Sequence, residues 1–209
     1  MQSEHCKVRP LHACKEKKMD VMVLIDSFKG SMTSMEAGNA ARDGVLRVYP
    51  HANVTVRPLA DGGEGTTDAL IEGLGGRKVE LSVTGPMGSR VKAYYGILAD
   101  EKTAVMEMAQ AAGITLVEEA QRNPGKATTY GVGEMIRDAV SRGYRKFIIG
   151  IGGSATNDGG IGMLRALGVK FLTKDGEKAG EGADALGKIH FVSLEHLMPE
   201  LKELSLIHI

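Results

Sequence analysis

Three short stretches of this 209-residue sequence concentrate the residue types that handle anions, metal ions and protons: DSFKGS at 26–31, ADGGEGT at 60–66 and GGSATNDGG at 152–160. Their carboxylates, Asp26, Asp61, Glu64 and Asp158, are suited to a hard divalent cation such as Mg²⁺ or to accepting a hydroxyl proton. Lys29 can offset phosphate charge. Gly62, Gly63, Gly65, Gly152 and Gly153 leave backbone N–H groups open to an approaching anion, with Ser27, Ser154 and Asn157 beside them. Anion cradle, cation ligand, proton acceptor and fixed positive charge are together the parts that phosphoryl transfer needs. Any one of these aspartates alone is an ordinary turn or cap residue. Three loaded loops in one chain carry more weight than any single residue.

What makes the three loops a candidate site is where they stand in the chain. Each follows an apolar run that reads as a strand: residues 21–25, 53–59 and 145–151. In open parallel sheets ligands lie beyond the carboxyl ends of the strands, and each succeeding helix presents its positive N-terminus there. Thr33 and Glu36 form an S/T-x-x-E capping box. The helix after it places Ala37, Ala40, Ala41, Val45 and Val48 on one face, and Pro50 ends it. A second helix is expected over residues 66–74. Strand–helix–strand–helix predicts a parallel sheet flanked by helices, Rossmann- or flavodoxin-like. RKVELSVTG, VKAYYGILA and TAVMEMA then read as a mostly antiparallel meander, a change of architecture near residue 81. Helical period returns with Val132, Met135, Ile136, Ala139 and Val140. Beyond the third loop, a helix is expected over residues 160–167, followed by the strand VKFLT. Met22, Met106, Met108, Met135 and Met163 read as core, and His190 and His196 as surface or packing residues.

The expected fold is therefore α/β: a first domain opening with residues 19–80, and an inserted α/β domain with antiparallel strands over 81–204. Residues 1–18 read as a leader outside the fold. Within it His5, Cys6, His12 and Cys14 match no standard zinc spacing.

Composition narrows the function classes. Twenty-six basic and 26 acidic residues cancel, aromatic residues make up 4% and Trp is absent, which argues against a nucleic-acid partner. No apolar run reaches the 18 residues of a membrane span. Two cysteines give no disulfide framework, so the cytoplasm is the expected compartment. GIGGSA at 150–155 matches a dinucleotide fingerprint with Asp175 downstream, making an NAD(P)-binding oxidoreductase one alternative. GADALGKI has Walker A spacing, but Ile189 stands where the Mg²⁺-binding hydroxyl belongs and no strand precedes it.

In chain order, DSFKGS, ADGGEGT, GPMGSRVKAYYGIL, AVMEMAQAAGITLV, ATTYGVGEMI and GIGGSATNDGGIGML closely resemble the type I glycerate kinase family, over about residues 20–204. The resemblance implies transfer of the γ-phosphoryl group of ATP to glycerate, giving 2-phosphoglycerate or its 3-isomer. It also implies two α/β domains, one inserted into the other, with a Mg²⁺-dependent site between them. Carried onto this sequence, it makes Lys29, Asp61 and Asp158 catalytic. Asp158 or Asp61 would orient the glycerate hydroxyl, and the remaining carboxylates, Asp61 and Glu64 foremost, would hold Mg²⁺. Asp26, Ser27, Gly62, Gly63, Glu64, Gly65, Gly152, Gly153, Ser154 and Asn157 would line the substrate and phosphate positions. Partners are then glycerate and ATP, with homo-oligomerisation left open. One departure stands out. Members of the family are usually nearly twice this long, and the pattern fades after Leu204, so residues 205–209 read as a truncation tail. That makes a ligand-binding remnant without turnover the second alternative.

Overall fold

The computed structural model describes residues 19–28 and 30–208; the leader 1–18, Lys29 and Ile209 lie outside the described residues. The chain opens with β1 (Asp20–Ile25), α1 (Ser34–Val48), β2 (Asn53–Pro58) and α2 (Thr66–Leu74). β1 and β2 run parallel, Val21 opposite Val54 and Val23 opposite Val56, as a β–α–β unit requires. The capping box predicted at α1 is present: the Glu36 amide donates to Thr33 Oγ1 at 3.2 Å and the Thr33 amide to Glu36 Oε2 at 2.8 Å. Ser34 fastens that helix start to both strand ends, donating to the Ile25 carbonyl and accepting from the Leu59 amide.

A second sheet begins at once. β3 (Gly76–Thr84), β4 (Arg90–Leu98), β5 (Thr103–Glu107), β6 (Lys146–Gly150) and β9 (Ser205–His208) lie in the order β3-β4-β5-β6-β9. The first three strands are antiparallel, as the meander reading expects, while β5, β6 and β9 are parallel. Residues 205–208, expected to be a truncation tail, therefore form an edge strand: Leu206 and Ile207 are good strand formers and pair with Phe147 and Ile148.

Helices cover both faces of this sheet. α3 (Ala109–Ala112) and α4 (Tyr130–Ser141) lie on one side, where Val132, Met135, Ile136, Ala139 and Val140 pack with Tyr95, Ile97, Ala104 and Met106 in one buried cluster. On the opposite face α2 lays Ile71 over Gly96. The period of two along β4 and β5 divides the work: Tyr95, Ile97, Ala104 and Met106 meet α4, while Gly96, Val105 and Glu107 face the other way. α5 (Ile161–Ala166) leads into a two-stranded antiparallel sheet, β7 (Lys170–Leu172) with β8 (Phe191–Ser193), over a small core of Ile161, Val169, Phe171, Ala179 and Ala185.

Two expectations about burial are corrected. Met22 is 65% exposed, because β1 packs only its alternate residues on α1. Of the stripe predicted on α1, Ala37 is buried and Val45 half-buried. Ala40, Ala41 and Val48 face solvent, Val48 at 68%, since a two-stranded sheet is too narrow to cover so wide a face. Among the described residues no helix is long and apolar enough to cross a membrane.

Ile97 is fully buried at the centre of the larger core. Ile97→Ala is expected to lower unfolding free energy by about 2–5 kcal/mol, read as a shifted midpoint in urea denaturation.

Candidate active site

The second and third loops meet backbone to backbone. The Gly152 amide donates to the Gly62 carbonyl at 2.9 Å, and a Cβ on Gly152 would stand 2.8 Å from the Gly63 nitrogen. A Cβ on Gly150 would collide with the Gly62 carbonyl itself. The glycines of GIGG are therefore explained by the neighbouring loop that fills the space a side chain would take. This also removes the dinucleotide reading: a pyrophosphate would have to occupy the place already held by residues 62–63. β6 is in any case not the first strand of the fold, where that fingerprint belongs.

Glu64 lies at this seam. Its carboxylate rests against Gly153, where a Cβ would come within 2.7 Å of Oε2 and 2.9 Å of Oε1. Both oxygens are buried, and neither has a hydrogen-bond partner among the described residues. An ionised carboxylate in that condition costs several kcal/mol unless a cation or donor meets it.

Glu64 also lines a cleft of about 520 Å³. The first loop supplies one wall with Ser27, Phe28 and Met32; the start of α1 adds Thr33, Ser34, Met35 and Glu36; α2 adds Asp68 and Glu72, and Thr115 closes the far side. Three loops expected from the sequence to converge are thus in mutual reach, through Ser27, through Glu64 and Gly65, and through Gly153 behind Glu64.

Other candidates turn inward. Asp158 is 1% exposed, and its carboxylate accepts from the Thr129 amide (2.9 Å) and hydroxyl (2.9 Å), the Gly160 amide (2.9 Å) and the Gly162 amide (3.1 Å). It joins the third loop to the starts of α4 and α5, and every lone pair is engaged. Three of the five predicted cradle amides are similarly committed. Gly63 donates to Asp61 Oδ1 at 3.0 Å, Gly65 to Glu107 Oε1 at 3.1 Å and Gly152 to Gly62. Asp26 accepts from the Ser27 amide at 2.6 Å. Ser154 pairs with the Thr156 hydroxyl at 2.6 Å and lines a separate recess of about 270 Å³ with Arg122 and Asn123. Asp61 and Asn157 are exposed, and Lys29 lies outside the described residues.

Residue-by-residue reasoning missed Asp68, Glu72 and Glu107. Asp68 and Glu72 are one helical turn apart on α2, a spacing that puts both on the cleft face. Glu107 had a signal too: it is the one charge in the apolar strand TAVME.

Parallel strands whose terminal loops gather glycines and carboxylates at one cleft define the class: an α/β protein with a strand-end ligand site. The sequence model of the glycerate kinase family matches residues 21–209, and the chain belongs to that family. It is 43% identical to a glycerate kinase of Halalkalibacterium halodurans over 89% of this chain and 49% of that protein. With the glycerate 2-kinase of Escherichia coli (strain K12) it shares 42% identity over 88% of this chain and 49% of that one. The crystal structure of a protein assigned as glycerate kinase 2 from Salmonella typhimurium LT2 superposes with a TM-score of 0.73 at 41% identity, covering 91% of this chain and 51% of that chain. The chain spans about half the length of the curated relatives it matches.

Asp158→Ala would orphan four donors, those of Thr129 and Gly162 buried and that of Gly160 half-buried. A loss of more than about 3 kcal/mol is expected in urea denaturation, at about 1–3 kcal/mol per unsatisfied group. A solvated carboxylate at that position would give no such loss.

Proposed function

We propose that the protein to which this sequence belongs transfers the γ-phosphoryl group of ATP to glycerate, giving 2-phosphoglycerate, in the cytoplasm. Membership of the glycerate kinase family supports this reading, and the Escherichia coli relative, a glycerate 2-kinase, favours the 2-hydroxyl. The observation that carries it is the buried carboxylate of Glu64, without a partner among the described residues, in a cleft that Glu36, Asp68 and Glu72 also line. A triphosphate cannot enter so negative a cleft without a cation. No cluster of three or more His, Cys, Asp or Glu side chains suited to a metal exists among the described residues. Mg²⁺ does not need one, since it is commonly held by one or two carboxylates together with substrate phosphates and water. The donor set fits.

In this mechanism Glu64 would hold Mg²⁺, which when bound would supply positive charge against the phosphates. Asp61 is exposed and has one oxygen free of the Gly63 amide, so it is the carboxylate left to orient the glycerate hydroxyl. Asp158 acts indirectly, as the tie that fixes the third loop. Phe28, Met32, Met35 and Pro58 give the cleft an apolar wall for the nucleotide base. Lys29 supplies positive charge from the first loop. Such a reaction needs positioning and electrostatics rather than a nucleophilic side chain. The division into a first domain from residue 19 and an inserted one from about residue 81 belongs to the same proposal, with the cleft close to their junction.

The test uses protein of the length of its relatives. Glycerate-dependent ADP formation is expected, and its absence with glycerate and other small hydroxy acids would overturn the reading. Glu64→Gln sharpens it. Relieved of an uncompensated charge, the ligand-free variant should be more stable than the parent by about 1–3 kcal/mol. Mg²⁺ at about 100 times its dissociation constant should add about 2.7 kcal/mol to the parent and nothing comparable to the variant.

A further inference from the structure

The most deeply buried carboxylate among the described residues belongs to a residue that the proposed mechanism leaves unused. Glu107, at the end of β5, is 0% exposed. Its Oε1 accepts from the Gly65 amide at 3.1 Å and from Gln110 Nε2 at 3.0 Å, and its Oε2 accepts from the Thr67 amide at 2.8 Å. Gly65 and Thr67 flank the first turn of α2, and that helix has no side-chain cap of its own: its N-cap is Gly65, at φ 88°. Glu107 is thus the missing cap, delivered from 40 residues away in sequence and from the other sheet.

Two consequences follow from charge. A helix N-terminus is a ready anion site, and here it already holds an anion. The amides of Gly65 and Thr67 are therefore closed to a substrate phosphate. The second consequence concerns Glu64, the residue immediately before Gly65. Its backbone is pinned between the Gly65–Glu107 bond on one side and the Gly62–Gly152 bond on the other, while its own carboxylate has no partner among the described residues to orient it. Burial first, then the negative charges of Asp68 and Glu107, push the Tyr94 phenol upward, so it stays protonated. An apolar side chain at position 107 would suit a strand whose other core residues are Ala104, Val105 and Met106, and burying a carboxylate there is costly without a purpose to match.

We infer that Glu107 is the positioning residue of the cleft: by capping α2 it holds Glu64 where a divalent cation is bound, without touching cation or substrate itself. The inference rests on the kinase reading for its cation, and the experiment separates the two. Mn²⁺ is the probe, titrated by electron paramagnetic resonance into full-length parent, Glu64→Gln, Glu107→Gln and Glu107→Asp proteins. Glu107→Gln keeps the volume but presents an amide NH₂ to one of the two backbone donors. Glu107→Asp keeps the charge but draws it back by one methylene.

The expected result is a Mn²⁺ dissociation constant raised about 10–100-fold in Glu107→Gln, the range found when a group supporting a metal ligand is altered. Glu107→Asp should fall between it and the parent. The KM for glycerate should stay near the parent value while the Mg²⁺ concentration giving half-maximal ADP formation rises. A merely structural role would lower the melting temperature and leave Mn²⁺ affinity of the folded fraction unchanged. Parent-like Mn²⁺ affinity in folded Glu107→Gln, with Glu64→Gln impaired, overturns the role of Glu107 alone. Should Glu107→Gln fail to fold, the same criterion applies to Glu107→Asp. Parent protein that binds no Mn²⁺ and forms no ADP from glycerate overturns the kinase reading instead.

Discussion

The architecture of the cleft depends on one contact: the loop after β2 lies with its backbone directly against the backbone of the loop after β6. Only glycine at positions 150 and 152 leaves room for Gly62 and Gly63, and the Gly152–Gly62 hydrogen bond locks the approach. These loops belong to different sheets. Their contact is where the two-stranded unit of β1 and β2 is registered against the five-stranded sheet, and Glu64 projects from that seam against Gly153. Close approach of backbones, rather than close approach of a phosphate, accounts for much of the glycine content.

Carboxylates then divide into two kinds. Glu107 and Asp158 are buried and hydrogen-bonded, and they accept from backbone amides at the helix starts that follow the glycine-rich loops. Favourable amide dipoles repay their desolvation. Both Glu64 oxygens are buried without donors among the described residues, and Asp61 is exposed. The first kind fixes geometry. The second retains the capacity to bind something that the chain does not supply. In the proposed mechanism Asp158 therefore serves as a brace, whereas sequence position alone made it equivalent to Asp61.

Much of the fold was legible in advance because its signals are local. The alternation of β4, the helical period of Val132 to Val140, the Thr33–Glu36 capping box and the bounds of α2 all depend on neighbours within a few residues, and each is present. Signals that depend on a partner element did worse. Met22 and Val48 are apolar at core-like spacing, yet exposed, because periodicity states which face wants cover and says nothing of whether cover is present. The strand formed by residues 205–208 was missed for a related reason: its identity comes from pairing with β6 rather than from its own four residues.

For the site, the sequence by itself determined the chemical inventory: three strand-end loops carrying glycines and acidic residues, in a motif order specific enough to indicate the family. Tertiary structure alone decided which of those groups are free. A carboxylate becomes a ligand or a brace according to how many donors surround it, and beside the local donors of Asp158 and Glu107 stand Thr129, Gly65 and Thr67, 29 to 42 residues away. Distances along the chain of that size carry no readable signal in one sequence, because only folding brings amide and carboxylate to 3 Å.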